Sequence, residues 1–206
     1  MNISAAACAL LLLSAVPQEI PAPAAPSAAV TTVQDTAAGL QSQAAAYLEK
    51  AFSFDVSGLM PQVQEEDGRV SLWFYPDPDQ PTDNYYVQLD AGKAYPTMLY
   101  HFQHPNTEHV DLASSTTFDF DPQLIETARQ YVQTVYGMDC ADSAVTAYGY
   151  QNKFAVQFKL SEQSYFDVRF YYDAPAPAGI LYLTSAAETS AWLDANNGKI
   201  FYTVPS

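Results

Sequence analysis

Three histidines, the only ones in the chain, lie within nine residues of one another and are the first candidates for chemistry. They are His101, His104 and His109, with Glu108 and Asp111 close by. Zinc and copper accept imidazole and carboxylate ligands, so this segment is a candidate site for a metal or a small ligand. Its spacing matches no metal-binding motif that we can name, and a polar loop that holds three histidines by chance explains it equally well.

The other reactive side chains do not assemble into a recognisable catalytic pattern. Cys140 follows Asp139, and a neighbouring carboxylate opposes formation of the thiolate nucleophile. The sequence contains no Gly-x-Ser-x-Gly elbow that would position a nucleophilic serine. Paired carboxylates such as Glu65 and Glu66 are typical of solvated turns. We therefore predict a protein that is not an enzyme and that needs no cofactor.

Aromatic residues are abundant, with 15 Tyr and 11 Phe, and some fall on strand faces that the predicted core does not use. Trp73, Tyr75 and Tyr86 have this position in the first half of the chain, and Arg169 and Tyr171 have it in the second half. Tyrosine, tryptophan and arginine are typical anchors of protein interfaces. The pattern predicts a partner-binding surface, while internal packing of sheets or a covering loop explains it equally well.

Periodicity and turn residues indicate the elements that would position these side chains. Asp67-Gly68 predicts a hairpin, because these residues accept the positive φ angles of a type I′ turn. Apolar residues alternate along the strands that follow, as expected when one face is buried. A helix is predicted to begin at Asp121 and Pro122 and to stop at Gly137.

The same pattern occurs twice along the chain. Tyr47-Leu48 in a first helix corresponds to Tyr131-Val132 in the second, and similar strands follow each helix. We therefore predict an α+β fold of two tandem repeats, each with one helix packed on an antiparallel sheet of about four strands. The predicted organisation is a leader at residues 1–34, a first repeat at 35–113, a linker at 114–120 and a second repeat at 121–206.

Composition narrows the class of partner and the cellular setting. The chain of 206 residues has a formal net charge of −15, which disfavours nucleic acid and anionic membranes as partners because both are bound through Lys and Arg. An apolar run at residues 5–16, followed by a Pro- and Ala-rich stretch, suits the hydrophobic region of a secretory signal peptide. No Lys or Arg occurs before Lys50, so an apolar leader on a cytosolic protein is the alternative. No apolar run reaches the ~18 residues of a membrane span. We expect export to the cell envelope or beyond it.

Two short motifs carry a resemblance to a known family. Residues 192–200, WLDANNGKI, resemble the closing signature of PepSY domains, and residues 88–94, QLDAGKA, look like a shortened form of it. The tandem plan of helix and strands is also similar to that of the beta-lactamase inhibitory proteins, although the paired cysteines of their repeats are absent here. Both resemblances imply an extracytoplasmic binding or inhibitory module without catalysis.

The sequence thus predicts an exported, non-catalytic protein-binding module, with inhibition or regulation of an extracytoplasmic enzyme as the form that the resemblances imply. Its acidic surface would select basic partners. The alternative is an envelope protein that binds a small ligand or a metal through the loop of His101, His104 and His109.

Overall fold

Short turns and alternating apolar residues divide the chain into strands, and two amphipathic segments form helices. The computed structural model describes residues 37–80, 82–93, 95–103, 119–150, 153–172, 174, 176–184 and 199–205. The elements are α1 (Ala37–Phe52), β1 (Gln62–Glu66), β2 (Arg69–Phe74), β3 (Asn84–Asp90), β4 (Met98–Phe102), α2 (Gln123–Tyr136), β5 (Ala144–Tyr150), β6 (Lys153–Ser161), β7 (Ser164–Tyr171), β8 (Pro177–Leu183) and β9 (Lys199–Val204).

The second helix begins and ends where its sequence predicts. The Asp121 carboxylate accepts a hydrogen bond from the Gln123 N–H at 2.9 Å, and Gly137 ends the helix at φ 71° with its N–H bonded to the Gln133 carbonyl. Glycine accepts this left-handed conformation without a steric cost because it has no Cβ. The apolar side of α2 is buried through Ile125, Ala128, Tyr131, Val132 and Val135.

Neither α1 nor α2, the helices in the described part of the chain, has the length and apolar character that crossing a membrane requires.

The hairpin predicted at Asp67-Gly68 is confirmed. These residues have φ angles of 49° and 77°, and they join β1 to β2 with Glu66 opposite Arg69. Positive φ at both positions fits a type I′ turn, whose twist matches that of the strands it connects.

Three predicted segments lie outside the described residues: the leader at residues 1–34, linker residues 114–118 and the PepSY-like segment up to residue 198.

The nine strands that the structure describes form one antiparallel sheet in the order β1-β2-β3-β4-β8-β7-β6-β5-β9. The prediction of two tandem repeats with separate four-stranded sheets is therefore wrong. Strand β4 pairs with β8 through Met98↔Leu181, Leu99↔Ile180 and Tyr100↔Gly179. Separate sheets would leave both strands with a row of unpaired N–H and C=O groups, and joining the edges satisfies these groups. Alternation indicates which residues share a face but not which edges meet.

Gly179 allows β4 and β8 to approach each other. The Tyr100 ring lies over this residue, and a Cβ added there would meet the ring and would lie 2.6 Å from the carbonyl oxygen of Leu99. A glycine inside a strand often marks such a close approach. The Tyr100 ring is fully buried, and the ammonium of Lys153, which extends from β6, lies 4.9 Å from its centre.

One face of the sheet, which we call the helix face, carries both helices and the main core. Helix α1 packs on β3 and β4, α2 packs on β6, β7 and β8, and the two helices touch each other. A single core cluster therefore contains apolar residues from both parts of the sheet. Its central row crosses six neighbouring strands, and all of its members are buried: Leu72, Val87, Leu99, Ile180, Val168 and Val156.

Candidate functional site

The sheet face opposite the helices, which we call the second face, carries most of the side chains predicted to bind a partner. Because side chains alternate along each strand, the residues between those of the helix face point to this side. One row of register partners crosses the whole sheet: Gln62, Trp73, Tyr86, Tyr100, Gly179, Arg169, Ala155, Tyr148 and Ile200. The joined sheet therefore places residues from the two predicted repeats on one surface.

The β1–β4 half of the second face contains a group of aromatic rings. Trp73 lies 5.0 Å from Tyr86 between ring centroids, Tyr86 lies 6.2 Å from Phe102, and Phe102 lies 4.5 Å from Tyr100. Tilted and edge-on contacts in this distance range are favourable because ring edges meet ring faces. Trp73 and Phe102 are half-buried, while Tyr100 is fully buried. The outer members of the group thus keep surface that a partner can reach.

Side-chain hydrogen bonds to Ser71 on β2 and to Gln88 on β3 hold the Tyr86 ring in place. Its hydroxyl bonds with the Ser71 hydroxyl at 2.9 Å and donates to the Gln88 side-chain oxygen at 2.9 Å. The Gln88 amide donates in turn to the Thr97 hydroxyl at 2.8 Å. Because these bonds restrict the rotamers of Tyr86 and Gln88, covering this surface would cost little side-chain entropy.

The β5–β8 half of the second face is organised around a buried carboxylate. Asp167 is 0% exposed, and the Tyr148 hydroxyl lies 2.8 and 2.7 Å from its two carboxylate oxygens. The Arg169 guanidinium donates to the same carboxylate at 3.2 Å. A buried charge requires both a counter-charge and hydrogen bonds, and this group has both. These residues stabilise the sheet whether or not a partner binds.

Lys153 lies beside this charged group, between three aromatic rings. Its ammonium is 4.9 Å from the centre of the Tyr100 ring, 5.4 Å from that of Tyr171 and 5.9 Å from that of Phe102. Ring faces attract a cation, which makes this a cation–π arrangement. Burial lowers the pKa of Lys153, and the nearby Arg169 guanidinium lowers it further.

Exposure separates the two halves of the second face. In the β5–β8 half, Tyr148, Ala155, Gln157, Asp167 and Tyr171 are buried, whereas Thr146, Lys153, Arg169 and Leu181 are half-buried. In the β1–β4 half, the side chains of Gln62, Gln64, Glu66 and Arg69 are exposed, and the half-buried ones are Trp73, Asn84, Gln88, Asp90, Met98 and Phe102. Among these residues, the fully exposed side chains therefore lie on β1 and β2, in the β1–β4 half.

The five residues predicted to bind a partner fall into different settings. Trp73 is half-buried on the second face, and Tyr86 lies beside it at 9% exposure. Tyr75 is also half-buried but follows the end of β2. Arg169 and Tyr171 belong to the β5–β8 half, where Tyr171 is 4% exposed. Arg169 is half-buried like Trp73 and Tyr75. The roles of all five residues in binding stay predictions.

Sequence reasoning missed the contact between Lys153 and the rings of β4, and it missed the charged group around Asp167. Strand alternation does place Lys153, Asp167 and Arg169 on one face, so the sequence contains this part of the information. The missing part was the pairing of β4 with β8, which brings Tyr100 within reach of Lys153.

His101 lies on the helix face in a stack of rings, away from the second face. Its ring stacks on Tyr85 at 4.0 Å, and Tyr85 stacks on Phe54 at 3.8 Å. Its Nε2 pairs with the Asp83 carboxylate at 2.8 Å. No group of three potential metal ligands occurs among the described residues, and His104 and His109 lie outside them. The metal site therefore stays a prediction.

Cys140 is poorly suited to nucleophilic chemistry. Its side chain is 1% exposed, packed in the core cluster of the helix face. Burial raises the pKa of this thiol, and the Asp139 carboxylate also raises it. The reactive thiolate is disfavoured for this reason.

Comparisons with known proteins give a partial similarity in backbone structure. No family model matches the chain, and no curated protein matches it. The Bacillus megaterium YpeB C-terminal domain is similar in structure, with a TM-score of 0.46 and 11% sequence identity. The similarity covers 68% of this chain and 62% of that chain. The resemblances to PepSY domains and to inhibitory proteins stay predictions.

Proposed function

We propose that this protein is a non-catalytic protein-binding module and that the β1–β4 half of the second face is its contact surface. One observation carries the proposal, namely the group of aromatic rings around Trp73 and Tyr86 on the reachable part of the sheet. Aromatic side chains contribute large contact areas with few rotatable bonds, and they dominate the energy of many interfaces.

The polar residues around these rings suit a binding surface. Arg69 and Asp90 form an ion pair at 3.2 Å beside Gln88, whose amide also donates to Asp90. Exposed polar groups at the margin of an apolar centre are the usual anatomy of a protein interface. A partner that covers Trp73 could form hydrogen bonds with these groups at the edge of the contact area.

The sequence supports a location for this function and a charge for the partner. The signal-like segment at residues 5–16 supports work at or outside the cell envelope. The net charge of −15 favours a basic partner through long-range attraction. Inhibition or regulation of an extracytoplasmic enzyme is the form of binding that we propose.

The experiment is capture of a partner from the extracellular fraction of the parent organism, followed by affinity measurement with purified variants. Trp73→Ala is expected to weaken binding by about 2 kcal/mol, or about thirtyfold. Tyr202→Ala is the matched control, because Tyr202 is an exposed aromatic residue on β9 at the opposite edge of the sheet. If both variants bind as the wild type does, the contact surface is misplaced.

A further inference from the structure

The outer edge of β1 lies next to the proposed contact surface. Gln62 on β1 is the register partner of Trp73 on β2, and β2 is the strand that pairs with β1 in the described part of the chain. Every residue of β1 is exposed. A sheet edge in this condition offers backbone groups to an additional strand.

The hairpin geometry determines which backbone groups point outward. In a two-residue hairpin the residues that flank the turn, Glu66 and Arg69, form a hydrogen-bonded pair. Bonded and non-bonded pairs alternate along antiparallel strands, so Gln64 and Gln62 also bond inward to β2. The N–H and C=O groups of Val63 and Glu65 consequently point away from the sheet.

The side chains of this edge combine apolar and acidic character. Val63 is 55% exposed and Met60, just before the strand, is 85% exposed. Glu65 and Glu66 place carboxylates beside them, in a chain whose net charge is −15. Val63 and Glu65 share one face of the strand, since they are two residues apart.

The opposite edge of the sheet has a different composition. Strand β9 exposes Ile200, Tyr202 and Val204, and it contains no acidic residue. An incoming basic strand would therefore be drawn to β1 rather than to β9. The two edges are distinguishable by charge.

We propose that β1 is the docking edge for an extended, basic segment of a partner protein, which pairs with the outward backbone groups of Val63 and Glu65 as an added strand. This inference rests on the proposed function, because the added strand would extend the contact surface around Trp73. The matching segment carries an apolar side chain against Val63 and a Lys or Arg against Glu65, with one residue between these two positions.

The test uses short synthetic peptides that alternate Thr with Lys and Val, and matched peptides with Glu in place of Lys. Binding to the full chain is followed by fluorescence anisotropy of the labelled peptide. We expect the Lys peptide to bind and the Glu peptide to bind at least about tenfold more weakly. Equal binding of the two peptides would overturn the proposal.

Two variants locate the binding of the Lys peptide. Val63→Pro removes an outward N–H without removing a bond to β2, and it should lower affinity about tenfold. Glu65→Lys leaves the backbone intact and should reverse the preference between the two peptides. If both variants bind the Lys peptide as strongly as the wild type does, the assignment of a basic partner is overturned. It is also overturned if the wild type forms a dimer that Val63→Pro dissociates.

Failure of this inference is distinguishable from failure of the proposed function. If Trp73→Ala loses the captured partner while Val63→Pro and Glu65→Lys leave peptide binding unchanged, the contact surface stands and the docking edge is wrong. If Trp73→Ala retains the partner while Val63→Pro abolishes peptide binding, the docking edge stands and the contact surface is wrong.

Discussion

The two halves of the second face use tyrosine in different ways. In the β1–β4 half, Tyr86 bonds with neutral partners, Ser71 and Gln88, beside side chains that solvent reaches. In the β5–β8 half, Tyr148 donates to the fully buried carboxylate of Asp167. A hydrogen bond to a buried charge is worth more than one between neutral groups. One half is therefore suited to contact with a partner and the other to holding the sheet together.

The two halves also differ in the exposure of their Arg–Asp ion pairs. Arg69 in the β1–β4 half pairs with Asp90 while 57% of its side chain stays exposed. Arg169 in the β5–β8 half pairs with Asp167 and is 16% exposed. Exposed ion pairs contribute little to stability, whereas removal of one member of a buried pair is costly. Removing one member of an Arg–Asp pair should therefore cost more stability in the β5–β8 half than in the β1–β4 half.

The largest expected effect is the loss of the buried carboxylate. Asp167→Ala leaves the Arg169 cation and the Tyr148 hydroxyl without their shared partner, so the free energy of unfolding should fall by about 3–5 kcal/mol. Urea unfolding followed by tyrosine and tryptophan fluorescence measures the change.

Asp90→Ala is the matched control in the β1–β4 half, because it removes the carboxylate that pairs with Arg69. Its cost should stay below about 1 kcal/mol, as is usual for an exposed pair. Equal costs for the two variants would remove the contrast between the halves.

A smaller effect is expected from the two tyrosine hydroxyls. Tyr148→Phe removes a bond to a charged group and should lower the free energy of unfolding by about 2 kcal/mol, while Tyr86→Phe should lower it by about 1 kcal/mol. Both rings stay in place, so that the difference reports the hydrogen bonds. The comparison fails if Tyr86→Phe proves the more damaging of the two under the same denaturation conditions.

Much of the local structure could be predicted from the sequence. Asp67-Gly68 gave the first hairpin and Gly137 the end of α2, because backbone conformation at these positions depends on neighbouring residues only. Alternation likewise placed Trp73 and Tyr86 on the same face. These features are local, and a single sequence contains their signals.

The joining of the sheet could not be predicted in this way. Pairing of β4 with β8 connects Tyr100 to Gly179, which are far apart in the chain, and periodicity carries no information on such contacts. For the same reason the burial of Tyr171 and the position of Lys153 between rings of two strands escaped sequence reasoning. Alternation thus indicated the shared face of the predicted residues but not the difference in burial between its two halves.

The smallest expected effect is a pH dependence that belongs to the β5–β8 half. The pKa of Lys153 in the folded protein lies below the usual 10.5, so at alkaline pH the unfolded chain holds a proton that the folded chain has released. The free energy of unfolding contributed by this group therefore increases with pH between its lowered pKa and 10.5. Lys153→Met should lose this increase, as measured by urea unfolding at a series of pH values from about 8 to about 10.

Arg69→Met provides the comparison for the β1–β4 half. Arginine stays charged throughout this range, so the variant should follow the pH dependence of the wild type. A Lys153→Met variant that also follows the wild type would show that this ammonium is not desolvated.

The pairing of β4 with β8 makes the two halves parts of one face, and every contrast between the halves depends on it. Amide hydrogen exchange of the native protein tests it directly. The amides of β4 and β8 next to the buried Leu99 and Ile180 should exchange as slowly as those of β6 and β7, through opening of the whole sheet. Fast exchange in β4 and β8, with β1–β4 and β5–β9 opening at different free energies, would contradict the single sheet.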